Sequence, residues 1–174
     1  KDYGRYLLED KKIWDLISRR YEGAGLADLR IERLPHLKVI MMVAKPGMVI
    51  GRGGSGLSEL KDILSQLTKT KVDVQVEEVK NADLSARLVG ESIIRSILRR
   101  MPVKRVMNQT AERVAAHGAL GVKIIVSGVI GGPSSISRRE RTVRGSVPTQ
   151  TLRSNVNFAR TTAFTSYGTL GIKV

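Results

Sequence analysis

The stretch Met48-Val49-Ile50-Gly51-Arg52-Gly53-Gly54-Ser55 decides the fold, because it places a glycine-rich run between a short apolar segment and a helical pattern. Glycine allows a backbone to pass close to a sugar-phosphate chain, since no Cβ atom stands in the way. The N–H groups at the start of the following helix favour anions, and Arg52 adds a positive charge that does not titrate. We therefore predict a phosphate-backbone contact at four consecutive residues, Gly51, Arg52, Gly53 and Gly54.

The same glycines allow two other interpretations. Residues 51–56 also spell G-x-G-x-x-G, and Asp73 follows about twenty residues later, as in a dinucleotide-binding fold. That fold needs a strand that runs directly into the glycines, but Pro46-Gly47 interrupts the apolar run at 39–44 before it reaches them. A flexible glycine turn between two helices is the third interpretation, and the flanking segments have to decide among the three.

Charge is the strongest signal in the chain as a whole. Its 174 residues carry 30 Lys and Arg against 16 Asp and Glu, a formal net charge of +14. Residues 1–80 have 15 basic and 12 acidic side chains, whereas residues 81–174 have 15 basic and only 4 acidic ones. Such an excess predicts a polyanionic partner that is held mainly by the second half. Aromatic residues make up 4% of the chain, so base stacking on a sheet of exposed rings is not expected.

Composition gives little support to catalysis, metal binding or membrane insertion. The chain has no cysteine, which removes disulfides, thiol catalysis and thiolate metal sites and fits a reducing compartment. His36, next to Pro35 in a predicted turn, and His117, at a helix end, have no evident carboxylate partner, so we expect surface or capping roles. No apolar run approaches 18 residues, and no signal peptide is evident. We predict a protein that is not an enzyme and that has no cofactor and no metal.

The first half predicts the element order α-β-β-α-α-β. The predicted elements are a helix at 7–21, strands at 29–33 and 38–44 with a Pro35-His36 turn between them, a short helix at 48–50, a helix from Ser55 and a strand at 72–77. Ser55 is the predicted N-cap of the third helix, with Glu59 in its first turn. The predicted buried stripe of that helix is Leu57, Leu60, Ile63, Leu64 and Leu67.

This order, with a GxxG loop between two helices after a central strand, resembles a type II KH domain over roughly residues 5 to 80. KH domains use this loop to hold about four nucleotides of RNA backbone. The resemblance therefore implies contact with an RNA backbone at the loop. A free-standing KH-domain regulator of RNA is one protein of this kind, and it remains the alternative function.

The second half reads as two helices packed on a sheet. A helix at 84–101 has Val89, Ile93 and Ile97 on its inner face with Ile94 and Leu98 beside them, and Pro102 fits the first turn of a second helix at 103–116. Strands are predicted at 122–130, 136–143, 152–158 and 163–174, with a turn at Gly131-Gly132-Pro133. We predict an α+β protein with a KH domain at 1–80 and a two-layer α+β domain at 81–174.

Five segments of this half are DLSARLVGESIIRSILRRMPVKRVM, GALGVKIIVSG, IGGPSSISRRE, GSVPTQTLRSNVNF and YGTLGIKV. They resemble the second domain of the family of ribosomal protein three of the small subunit, in its bacterial form. The resemblance implies a structural constituent of the small-subunit head in a cytoplasmic ribosome, with an organellar ribosome as the alternative. Its implied partners are ribosomal RNA, messenger RNA at the entry channel, and neighbouring small-subunit proteins of the head and entry channel.

Two basic clusters in the second half are the predicted RNA-binding residues. The first comprises Arg99, Arg100, Lys104 and Arg105 around Pro102, and the second comprises Arg138, Arg139, Arg141, Arg144 and Arg153, with Arg160 nearby. In a strand, Arg139 and Arg141 would project to one face and Arg138 to the other. The resemblance implies that Lys104 and Arg105 help to open messenger structure, although Asn108 stands where the family has a further cation. A solvated helix face with pairing to Glu112 is the alternative.

Overall fold

The structure is a computed structural model that describes residues 2–33, 36–132 and 136–174. The chain divides into two compact units, Lys1–Lys80 and Asn81–Val174, and each unit has its own hydrophobic core. Among the helices of the described ranges, none combines the length and the apolar character that a membrane span requires.

The first unit contains three helices and a three-stranded sheet. Its elements are α1 Tyr3–Arg20, β1 Leu26–Glu32, β2 Leu37–Val43, α2 Pro46–Ile50, α3 Ser55–Thr68 and β3 Val72–Glu78. The strand order is β1-β2-β3, with β1 antiparallel to β2 and β3 parallel to β2. This confirms the predicted α-β-β-α-α-β order with the apolar strand at the centre of the sheet.

The core of the first unit lies between α1, α3 and one face of the sheet. In β2 every second residue is buried, so one face of this strand packs on the helices. The fully buried side chains include Ile13, Ile17, Val39, Met41, Leu60 and Leu64. Of the predicted stripe of α3, Leu60 and Leu64 are buried, and Leu57 and Leu67 pack against the core from its margin.

Two predictions about the start of α3 are wrong. The N-cap is Gly54, with a φ of 80°, and Ser55 is already helical and donates its hydroxyl to the Arg52 carbonyl oxygen at 3.0 Å. Glu59 lies beyond the first turn and pairs with Arg20 of α1. The left-handed glycine already redirects the chain, so a serine cap is not needed at this end. Pro35, in the predicted Pro35-His36 turn, lies outside the described residues.

The second unit packs two helices on one face of a four-stranded sheet. Its elements are α4 Ala86–Leu98, α5 Val103–Ala116, β4 Gly121–Gly128, β5 Arg138–Gly145, β6 Arg160–Thr165 and β7 Gly168–Lys173. The strand order is β5-β4-β7-β6, and all neighbouring pairs are antiparallel. The core includes Ile93, Ile97, Met107, Ala111, Ile124, Val126, Leu170 and Ile172. This confirms the predicted α+β two-layer arrangement and the bounds of the helix at 103–116.

Several details of the second unit differ from prediction. Leu98 is exposed, and Pro102 occupies the N-cap position of α5 instead of its first turn. Residues 152–158 form no strand; Leu152 and Phe158 are exposed, so their alternation has no core to face. The predicted strand at 163–174 is a hairpin of two strands, β6 and β7. Pro133 of the predicted Gly131-Gly132-Pro133 turn lies outside the described residues.

Candidate nucleic-acid interface

The GxxG loop has a backbone that only glycine adopts readily. Gly51, Gly53 and Gly54 have φ values of 71°, 61° and 80°, which lie in the left-handed region that L side chains avoid. A Cβ atom added at Gly53 or Gly54 would meet nothing within 4 Å, so the space beside these glycines is open. Arg52, between them, is exposed and has no ion pair with any described residue. The loop therefore offers an open backbone surface and one uncompensated cation.

The loop is held by close packing of the two helices that it joins. Val49 of α2 is fully buried, and a Cβ atom at Gly56 of α3 would lie 2.7 Å from the Val49 carbonyl oxygen. Because no real Cβ atom approaches a carbonyl so closely, Gly56 is required for α2 and α3 to meet. Sequence reasoning assigned this glycine only to the dinucleotide motif, and its role here is structural.

The dinucleotide-binding interpretation is wrong. Strand β2 ends at Val43, and helix α2 separates it from the glycines, whereas a dinucleotide fold runs from strand to glycines to helix. Asp73 is the second residue of β3, so it lies at the amino end of its strand. Its Oδ1 accepts a hydrogen bond from Lys61 Nζ at 2.8 Å, and this bond lowers the pKa of Asp73. The carboxylate has a structural partner on α3.

The first predicted cluster forms the connection between α4 and α5, which we call the tip cluster: Arg99, Arg100, Lys104 and Arg105. Helix α4 ends in a Schellman motif, with Arg100 N–H donating to the Ile97 carbonyl at 2.8 Å and Met101 N–H to the Ser96 carbonyl at 3.2 Å. Arg100 takes the left-handed position of this motif, with a φ of 61°. The motif and Pro102 together fix the backbone of the turn that carries the four cations.

The tip cluster lacks compensating charge. All four side chains are exposed, and none forms an ion pair with a described residue. No acid occurs between Ser92 and Ala111 in the sequence. Lys104 and Arg105 lie in the first turn of α5, where the helix dipole is positive, and no side chain caps that end. The pairing of these cations with Glu112 that the solvated-face alternative assumed is absent, because Glu112 binds Arg144 at 3.0 Å. An anion at this helix end would therefore be stabilised.

Asn108 follows one turn after Arg105 but faces the sheet. Its Oδ1 accepts a hydrogen bond from the Thr142 hydroxyl of β5 at 3.2 Å. The next residue along this side of the helix, Glu112, binds Arg144 of the same strand. This side of α5 thus pairs with the edge strand.

The structure divides the second predicted cluster. In the register of β5 with β4, Arg138 is opposite Gly128 and Arg144 is opposite Val122. Because Val122 is buried under the helices and directly opposed residues share a face, Arg138 and Arg144 lie on the helix side of the sheet. Arg139 and Arg141 lie on the other face, as strand alternation predicted. Arg153 lies in the segment 152–158, which forms no strand, so it belongs to neither face of the sheet.

Sequence reasoning missed two cations that the sheet places on the same face as Arg139 and Arg141. Lys123 alternates along β4 with the buried Val122 and Ile124, and Lys173 is opposite Ile125 of the same strand. The alternation in β4 was a signal for Lys123. No comparable signal existed for Lys173, because its neighbours in the sheet depend on long-range register.

The acids of the second unit are not on the face of the sheet that carries these cations: Glu140, between Arg139 and Arg141 in β5, is opposite the buried Val126 and so lies on the helix side. Asp83 pairs with Arg113 at 3.0 Å and approaches His117 Nε2 at 3.5 Å, and Glu91 pairs with Arg87 at 3.6 Å. His117 thus has a carboxylate neighbour, contrary to expectation. Its Nδ1 lies 2.8 Å from the Arg113 carbonyl oxygen at the end of α5, which agrees with the predicted capping role.

Two family models match the chain, one over most of each half. Residues 12–84 match a family model described as KH domain, and residues 93–174 match one described as Ribosomal protein S3, C-terminal domain. The small ribosomal subunit protein uS3 of Finegoldia magna is 46% identical over 175 residues, which cover 100% of this chain and 71% of the relative. The protein of the same name from Bacillus thuringiensis is 43% identical, with 100% and 80% covered. The corresponding protein of Coprothermobacter proteolyticus is 41% identical, with 98% and 74% covered.

Proposed function

Because the chain belongs to the uS3 family of small ribosomal subunit proteins, we propose that it is a structural RNA-binding constituent of the small subunit in a cytoplasmic ribosome. The observation that carries this proposal is identity of 41–46% over 98–100% of the chain with proteins of that name. The net charge of +14 supports it, since a polyanion has to neutralise such a surface. Its relatives are ribosomal proteins, so we assign it no enzymatic activity.

The GxxG loop is the proposed contact for RNA backbone in the first unit. Three left-handed glycines and the open space beside Gly53 and Gly54 let a sugar-phosphate chain approach the main chain. Arg52 supplies the charge for one phosphate. Contacts of this kind position RNA and carry little sequence information. The first unit therefore acts as a backbone clamp.

The tip cluster is the proposed contact for messenger RNA at the entry channel. Four exposed cations without acidic partners border the positive end of α5, which suits consecutive phosphates of a strand. If the cluster holds a single strand more tightly than a duplex, binding shifts the equilibrium toward the open strand. Lys104 and Arg105 are the proposed main contributors to this effect, which is the chemical basis for assisting messenger unwinding.

The exposed segment 152–158 is the proposed contact with a neighbouring small-subunit protein. Leu152, Val156 and Phe158 are exposed within a few residues of each other, and a cluster of exposed apolar side chains is typical of an interaction surface. Arg153 lies within this segment, so we assign it to the margin of the protein contact or to ribosomal RNA beside it.

Sedimentation separates this function from that of a free-standing KH-domain regulator. We expect the full chain, expressed with a tag in a bacterial host, to remain with small-subunit particles through a high-salt wash. A regulator that binds only through exposed phosphates would be released, because such binding weakens steeply with salt. Crosslinking mass spectrometry of the washed particle should then join Arg52, Arg105 and Arg139 to ribosomal or messenger nucleotides. Release of the protein in the wash would favour the regulator.

A further inference from the structure

The sheet of the second unit has one face that the two helices do not cover. Helices α4 and α5 pack on the side that carries Val122, Ile124 and Ile172, which are buried. The residues that alternate with them point to the other side, which we call the open face. Its cations are Lys123 of β4, Arg139 and Arg141 of β5, Arg160 of β6 and Lys173 of β7. Among the strand residues of this face, none is acidic.

Three of these cations lie in one row across the sheet. The register places Arg141 opposite Ile125, Ile125 opposite Lys173, and Lys173 opposite Arg160. With neighbouring strands about 4.8 Å apart, the row spans about 14 Å. Like charges that are directly opposite on an antiparallel pair destabilise the sheet, so the Lys173 and Arg160 pair is unfavourable unless an anion lies over it.

The described residues of this chain do not supply that anion. None of the five open-face cations forms an ion pair with a described residue, and their side chains make one hydrogen bond within the described ranges, from Arg139 Nε to the Ser127 hydroxyl at 3.3 Å. On the helix side, by contrast, Arg144, Arg113 and Arg87 each pair with an acid. Arg138, which also lies on the helix side, has no ion pair with a described residue, so most but not all cations of that side are compensated.

The chemistry of the face favours phosphate over an acidic protein. Lysine is depleted at the centres of protein interfaces, yet Lys123 and Lys173 lie on the two inner strands of this face. Among the described strand residues of the face, Phe164 on the edge strand β6 is the one aromatic side chain, so these strands lack the paired rings on which RNA-binding sheets stack bases. Cations at the regular spacing of neighbouring strands suit the regularly spaced phosphates of folded RNA.

We propose that the open face is a third RNA-contact surface, which binds the phosphate backbone of folded RNA through Lys123, Arg139, Arg141, Arg160 and Lys173. The inference rests on the proposed function, since it takes ribosomal RNA as the ligand. It goes beyond the second predicted cluster, from which it takes Arg139, Arg141 and Arg160, because the register joins them with Lys123 and Lys173 into one surface that is separate from the glycine loop and the tip cluster.

The test removes the three charges of the row and compares the effect on RNA binding with that of removing three charges from the first unit. The row variant carries Arg141→Gln, Arg160→Gln and Lys173→Gln, and the control carries Lys11→Gln, Lys69→Gln and Lys71→Gln, three exposed lysines of the first unit. Binding of the full chain to transcribed small-subunit ribosomal RNA is measured from low to high salt. We expect the row variant to lose about 2 to 3 units of the salt slope, since each phosphate contact contributes roughly 0.7 to 0.9. The control should lose less than about 1.

Three outcomes distinguish a failure of the proposed function, a failure of the open-face proposal and binding of an acidic protein instead of RNA. If the unaltered chain does not bind ribosomal RNA, the proposed function fails and the open face fails with it. If the unaltered chain binds and the row variant has an unchanged slope, the open-face proposal alone is wrong. Poly-glutamate is the second probe: a row variant that loses poly-glutamate binding but keeps its RNA slope assigns the face to an acidic protein. Thermal unfolding checks the fold, and the row variant should melt no lower than the parent because a like-charge pair is removed.

Discussion

In the first unit, the glycine loop places one cation, Arg52, among three glycines, on a unit whose acidic and basic residues differ by only three charges. In the second unit, the open face and the tip cluster carry nine cations without an acid among them. Glycines leave the main chain of the loop accessible. The two surfaces of the second unit instead present long basic side chains and no acidic ones. This difference implies that RNA contact at the loop depends on backbone shape, whereas contact in the second unit depends on ionic strength.

The largest effect is expected at Gly56, where the close contact of α3 with α2 fixes the shape of the glycine loop. We expect Gly56→Ala to lower the free energy of unfolding by about 1 to 3 kcal/mol, because the new Cβ atom would lie 2.7 Å from the Val49 carbonyl oxygen and force α2 away from α3. Urea denaturation of the full chain measures this change. Gly47→Ala is the control, since a Cβ atom there meets nothing within 4 Å. Equal stability of the two variants would show that the loop does not depend on this contact.

The next effect concerns charge in the second unit. We expect Lys104→Ala with Arg105→Ala to lower the salt slope of RNA binding by about 1 to 2 units and to weaken affinity roughly tenfold at 0.1 M salt, because two phosphate contacts are lost. A single-stranded RNA is the probe, and filter binding from 0.05 to 0.5 M salt is the measurement, with both concentrations chosen to bracket roughly physiological salt.

The control for this pair is Lys69→Ala with Lys71→Ala, which removes the same charge from the first unit. If both double variants change the slope equally, the tip cluster is no more than a part of the general positive field. The contrast between the two units would then reduce to net charge alone.

Local patterns predicted the elements well because the apolar spacing in them is strong. The helix at 103–116 has its predicted bounds, and the order around the glycine loop follows from Pro46-Gly47 and the stripe that begins at Leu57. The wrong predictions concern residues whose structure depends on a partner that is distant in the sequence. The alternation at 152–158 is suited to a strand, but no neighbouring strand pairs with it. Arg144 looked like a free cation, but Glu112, 32 residues earlier, binds it.

The candidate site was predictable only in part for the same reason. Each cation of the tip cluster follows from local sequence, because the four residues surround one proline. The open face exists only through the register of four strands, and the row brings Arg141 and Lys173, 32 positions apart in the sequence, onto one line with Arg160. The prediction of Ser55 as the N-cap was wrong because it rested on the preference of serine for that position. The left-handed conformation of Gly54 places the N-cap one residue earlier.

A smaller effect is expected from a misplaced charge at the glycine loop. We expect Gly53→Asp to weaken RNA binding about fivefold, because a carboxylate about 4 Å from a phosphate costs roughly 1 kcal/mol in water. The matched control is Gly53→Asn, which has the same size and tolerates the left-handed conformation equally well. Both variants should lose similar stability, since open space surrounds the site. If Asn weakens binding as much as Asp does, shape rather than charge limits the approach of the backbone.

The smallest effect is expected at Arg100 of the second unit, for which Lys69 of the first unit is the counterpart. Arg100 and Lys69 are the two described residues other than glycine with positive φ, at 61° and 54°, and both lie at the ends of helices. Because L side chains are strained there by about 1 kcal/mol, Arg100→Gly and Lys69→Gly should each raise the free energy of unfolding by up to about that amount. Only Arg100→Gly should also lower the salt slope of RNA binding, by about 0.7 to 0.9. A stabilised variant with weaker binding would mean that the second unit keeps a strained arginine for its charge, whereas an unchanged slope would leave Arg100, like Lys69, as a helix end without a role in RNA contact.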